Sequence, residues 1–94
     1  MFIALLTYVR PLEEVDALKA EHTRFLDEHY ASGLFVASGR KVPRTGGFIL
    51  ISGQDRERVL AVLAQDPFRI AGVATYEIAQ VIPTRMRPGF EPYL

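Results

Sequence analysis

The chain is 94 residues long, carries eleven basic and eleven acidic residues, and contains no cysteine. One domain is the natural count at this length, and the balanced charge argues against a general nucleic-acid or anionic-membrane binder. The missing thiols remove disulfide scaffolds, thiolate metal sites, iron–sulfur clusters and cysteine nucleophiles.

The first predicted element is a strand from Phe2 to Val9, rich in aromatic and branched residues and closed by Arg10-Pro11. Pro11 suits the first position of a helix, where Glu13, Glu14 and Asp16 complement the helix dipole. Leu12, Val15, Leu18, Phe25 and Leu26 recur at helical spacing, and Gly33 supplies a left-handed stop after about five turns. Leu34 to Ser38 reads as a second strand, followed by a polar loop from Gly39 to Gly47 and a third strand from Phe48 to Ser52. Ser52 or Asp55 caps a second helix whose inward face is Val59, Leu60, Val62 and Leu63. Asp66-Pro67 ends that helix and caps a further turn running to Gly72, and Val73 to Ile82 forms the fourth strand.

The order β-α-β-β-α-β specifies an α+β, ferredoxin-like domain over residues 1–82. Right-handed crossovers give an antiparallel sheet in the order 4-1-3-2 with both helices on one face. A sheet with one wet face should alternate apolar and polar residues. The first strand is instead apolar on both faces, with Phe2, Ala4, Leu6 and Tyr8 on one and Ile3, Leu5 and Val9 on the other. Phe48 to Ile51 repeats the pattern. Both strands are central, and the helices cover only one face, so a sheet-to-sheet homodimer is expected. The alternative is a monomer with its tail folded across the sheet. That tail, residues 83–94, is a proline-rich arm with Arg85, Arg87, Phe90 and Tyr93; it reads either as a frayed terminus or as a segment that docks.

Among residues that carry chemistry, His22 stands out. It lies on the inward stripe of its helix beside Leu18, Phe25 and Leu26, none of which can pair with it. It must find hydrogen bonds outside its own helix. A core-edge histidine bound to backbone or water is one solution; a general acid/base at a cavity rim is the other. Asp66 is explained by helix capping alone, yet it can also orient an imidazole. The two share a sheet face, which allows contact without requiring it. His29 is seven residues from His22, about 10.5 Å along a helix, so one metal ion cannot bridge them, and no metal site is expected. Gly46-Gly47 lacks the pattern and the following helix of a phosphate cradle. Arg40, Lys41 and Arg44 make the hairpin basic, and Arg44 is the best placed to clamp an anion.

Other roles of the fold fail on composition. Metallochaperones need a pair of cysteines and acylphosphatases an asparagine, and the chain has neither. Gly46 and Ile51 stand where RNA-recognition domains carry stacking aromatics. What remains resembles the YciI-like (YCII-related) family of the dimeric α/β-barrel group. The resemblance runs to about Ile82. It rests on the opening strand Phe2–Tyr8, His22 with Phe25-Leu26, Gly33, Ser38-Gly39, Gly46-Gly47, Asp66-Pro67-Phe68, Gly72 and Tyr76-Glu-Ile78. Arg40 departs from it, standing where relatives often have proline. The resemblance implies a homodimer with a cleft near a His–Asp pair, here His22 and Asp66. It also implies relatives such as muconolactone isomerases and dehydrochlorinases, which act on oxygenated rings without cofactors.

The expectation is therefore a small cofactor-independent isomerase or lyase, with a non-catalytic ligand-binding or regulatory dimer as the alternative. His22 and Asp66 form the catalytic pair, and Ser38, Gly39, Arg44 and Gly47 line a pocket for a small anionic or aromatic ligand. No apolar run approaches the ~20 residues of a membrane helix. No basic segment precedes Phe2 and no small-residue cleavage site follows, so a cytoplasmic location is expected, with neither membrane nor nucleic acid as partner.

Overall fold

A computed structural model describes residues 1–94. Four strands, β1 (Phe2–Tyr8), β2 (Phe35–Arg40), β3 (Gly46–Ile51) and β4 (Ala74–Gln80), form one antiparallel sheet in the order β2-β3-β1-β4. Read from the other edge, that is the order expected from the sequence. The helical segments are α1 (Leu12–Ala17), α2 (Lys19–Ala31), α3 (Arg56–Leu63) and α4 (Pro67–Ile70). The fold is α+β and ferredoxin-like.

The first helix departs from expectation. It is two segments that meet at Leu18, whose φ of −103° and ψ of 0° leave the helical region. There the chain tightens, and the Leu18 N–H donates to the carbonyl of Val15, three residues back, at 3.0 Å. Pro11 precedes the helix as its N-cap rather than opening it. At the other end Gly33 takes the left-handed conformation, φ +81°, and the Leu34 N–H returns to the His29 carbonyl at 3.1 Å. Asp55, not Ser52, caps α3, its carboxylate accepting from the Arg58 N–H at 3.1 Å. Val59 and Leu63 are buried, whereas Leu60 is 37% exposed and turns away from the core, against the assigned inward face.

The hairpin between β2 and β3 is shorter than the polar run suggests. β2 continues to Arg40 and β3 begins at Gly46, so Gly39, Arg40, Gly46 and Gly47 are strand residues. Two of the glycines are required by proximity: a Cβ at Gly46 would overlap the Leu6 carbonyl oxygen, and one at Gly47 would meet the Gly39 carbonyl oxygen at 2.5 Å. Larger residues there would push β3 off its neighbours.

Phe2, Ala4 and Leu6 of β1 and Ile49 and Ile51 of β3 are buried under Val15, Phe25, Val59, Leu63 and Phe68. Burying each large apolar side chain contributes about 1.5–3 kcal/mol. On the opposite face Leu5 is 40% exposed, and Ile3, Phe48 and Leu50 are half-buried. The arm turns back to one end of this face. Pro83, Met86 and Phe90 line an open groove of about 400 Å³ with Met1 and Leu50. Ser52 Oγ donates to the Leu94 carbonyl at 2.9 Å, and the Phe90 and Tyr93 rings lie 5.9 Å apart. The tail thus meets the domain at Ser52 and beside Met1 and Leu50.

Candidate functional site

The site begins with the cap of a four-residue helix. Asp66 precedes α4 in extended geometry, φ −60° and ψ 126°, and its Oδ1 accepts from the Phe68 N–H at 2.9 Å. The capping role is therefore real, but it uses only part of the carboxylate. Oδ1 also meets His22 Nδ1 at 2.8 Å, and Oδ2 accepts a short hydrogen bond from the Tyr76 hydroxyl. Asp66 is wholly buried, and three donors from three elements converge on it, as a buried carboxylate requires. Because an ionised carboxylate only accepts, the His22 proton in this bond sits on Nδ1.

His22 itself lies at the cavity edge, its side chain 15% exposed. Its ring stacks on Phe68, with centroids 3.9 Å apart and planes inclined by 8°, and a second ring, Phe25, stands at 6.4 Å. No protein group bonds Nε2, and His22 lines a cavity of about 290 Å³. Leu6, Tyr8, Leu26 and Phe68 give that cavity apolar and aromatic walls, while Lys19, Arg40 and Arg44 bring three cations to it.

Five of the six residues singled out in the sequence, His22, Ser38, Gly39, Arg44 and Gly47, border this one cavity, with Asp66 directly behind His22. Two of them are already engaged. The Ser38 hydroxyl lies 2.6 Å from that of Tyr30. The Arg44 guanidinium forks onto the Asp16 carboxylate, one arm short and the other at 3.4 Å. That pairing holds the Asp16 carboxyl below the usual carboxylate range and pushes Arg44 up. The residues border no cluster of three or more His, Asp or Glu able to hold a metal ion.

Sequence reasoning missed Tyr76 as a member of the site. Burial, and then the Asp66 carboxylate beside it, raise its phenol well above the ordinary tyrosine value. A signal was present: Tyr76 pairs with Leu6 in the sheet register and so projects to the helix-covered face, where a hydroxyl needs a partner. Phe68 was quoted only as part of a motif, and its spacing gives no hint that it would lie flat against an imidazole.

A family model described as the YCII-related domain matches residues 1–83. No curated protein matches the chain. Among solved structures, the chain is similar to 5-chloro-2-hydroxyhydroquinone dehydrochlorinase from Burkholderia phenoliruptrix AC1100, in complex with 2,5-dihydroxybenzoquinone, at 19% identity and a TM-score of 0.72. The alignment covers 87% of this chain and 94% of that one, a likeness of fold.

Proposed function

This chain belongs to the YCII-related family, and on that footing we propose that it is a cofactor-independent enzyme that moves protons on a small cyclic organic substrate. One observation carries the reading: the buried Asp66 carboxylate holds His22 Nδ1 at 2.8 Å, Nε2 has no protein partner, and His22 lines a cavity sized for a small molecule. A neutral imidazole so held presents its lone pair at Nε2 as a base. His22 takes a proton from a ring carbon through Nε2 and becomes an imidazolium. Asp66 keeps the tautomer and supports the new charge, and the face of Phe68 adds cation–π attraction. Returning the proton at a different carbon isomerises the ring; expelling a leaving group from the neighbouring carbon completes an elimination. Both steps balance without an external electron carrier.

The dehydrochlorinase of the same fold suggests the first substrate to try. Incubation with 5-chloro-2-hydroxyhydroquinone, and with a panel of hydroxylated rings and lactones, is followed by chloride release and by deuterium uptake from heavy water. His22→Ala should lower kcat by about 10²–10⁴-fold while leaving the chain folded. A His22→Ala protein with unchanged kcat would overturn the role of the imidazole. Saturable binding of these rings with neither reaction would instead favour a ligand-binding dimer.

We also propose that the protein is a homodimer joined through the sheet face carrying Ile3, Leu5 and Phe48. An exposed leucine among half-buried apolar neighbours on two central strands supports it.

A further inference from the structure

The cavity's charge goes further than its shape, and the inference drawn from it rests on the reading of the cavity as a small-molecule site. Lys19, Arg40 and Arg44 line it, and no acidic side chain does. Lys19 and Arg40 have no ion-pair partner. Arg44 has one of a particular kind. It reaches from the β2–β3 loop to Asp16 on α1, and the carboxylate sits in the guanidinium fork through both oxygens. The two side chains are 33% and 49% exposed, so water and ions compete for both. A guanidinium takes one carboxylate in this two-pronged manner from a given edge. Asp16, which lies outside the cavity lining, therefore occupies the guanidinium fork that an outside carboxylate would need.

The volume limits what else that ligand carries. About 290 Å³ lies at the small end of the ~300–1,000 Å³ typical of small-molecule sites, enough for one ring. Phe68, Leu26 and Tyr8 offer that ring apolar contact beside His22. We propose that the cavity takes a single-ring carboxylate whose carboxylate displaces Asp16 from Arg44, with Lys19 and Arg40 contributing the remaining positive field. Asp16 then acts as an internal competitor for the Arg44 fork.

Benzoate and benzamide share a shape and differ in charge, so they test this directly. Binding of each to the isotope-labelled full chain is followed through amide resonance shifts. Benzoate should bind about tenfold more tightly than benzamide, the preference one charge-assisted pair confers. Asp16→Asn should tighten benzoate several-fold without changing benzamide, and Arg44→Gln should erase the preference. Equal binding of the two probes, no benzoate shifts in either the wild-type or the Asp16→Asn chain, or weaker benzoate binding by Asp16→Asn would each overturn the proposal. Turnover that depends on His22 together with indifference to probe charge would sink this inference alone. Charge preference in a chain whose turnover survives His22→Ala would sink the acid–base role alone.

Discussion

Asp66 has two lives, and its neighbours tell them apart. As a helix cap it needs one oxygen and one backbone N–H. The second oxygen and the Tyr76 hydroxyl make it the centre of a Tyr–Asp–His chain. Tyr76→Phe removes a charge-assisted hydrogen bond to a buried carboxylate and should destabilise the fold by about 2 kcal/mol, measured by denaturant unfolding. The same residue sets an alkaline limit. Folding raises the Tyr76 phenol above its ordinary 10.0, so the folded chain keeps a proton that the unfolded chain loses. Its contribution is complete below pH 10 and declines as pH rises beyond that value. Stability measured across this range should fall more steeply in the wild type than in Tyr76→Phe; equal slopes would contradict the assignment. Asp66→Ala strips a cap, a tyrosine and an imidazole of their acceptor at once. It should cost about 3 kcal/mol or more, far more than a cap alone. Asp55→Ala, a cap with no other duty, should cost only about 1 kcal/mol.

At the scale of elements, close backbone approach governs the hairpin that frames the cavity. Gly46 packs against the Leu6 carbonyl of β1, a rigid neighbour that cannot move aside. Gly46→Ala should therefore destabilise by about 3 kcal/mol or prevent folding, read from thermal unfolding. Gly39→Ala meets only the edge of the Phe48 ring, at 3.0 Å, and should be better tolerated because a side chain can shift. The interruption at Leu18 lies outside what periodicity records. The apolar stripe runs straight through it, and no proline or glycine marks it. The sheet order followed from the handedness of the crossovers, and the strands and most helix ends were legible because short branched and aromatic runs, capping residues and Gly33 act locally. The outward turn of Leu60 was not, since an amphipathic stripe defines a face only to within a residue or so.

For the whole molecule, the outer sheet face with its exposed Leu5 predicts self-association. Light scattering at micromolar concentration should report twice the 10.6 kDa chain mass, and Leu5→Glu should return it to one without loss of secondary structure. A wild-type monomer would mean that the arm, which covers Met1 and Leu50, is cover enough. No helix is long and apolar enough to cross a membrane. That agrees with the short apolar runs of the sequence, and the balanced charge of zero leaves the local cation cluster at the cavity as the feature a ligand would meet.

By itself the sequence determined the element types, their order, the sheet arrangement and the two residues worth pairing. Hydrophobic periodicity and capping are properties of neighbours along the chain. His22 drew notice as a polar group on an apolar stripe in need of a partner, and the family resemblance pointed to Asp66 without requiring the two to touch. Only the tertiary structure decided that the partner is Asp66, 44 positions away, and that Tyr76 completes the set. It likewise decided that Arg44 spends its fork on Asp16, 28 positions away. Such contacts depend on side-chain direction and on distances of a few ångströms between separate elements, and no local pattern encodes either.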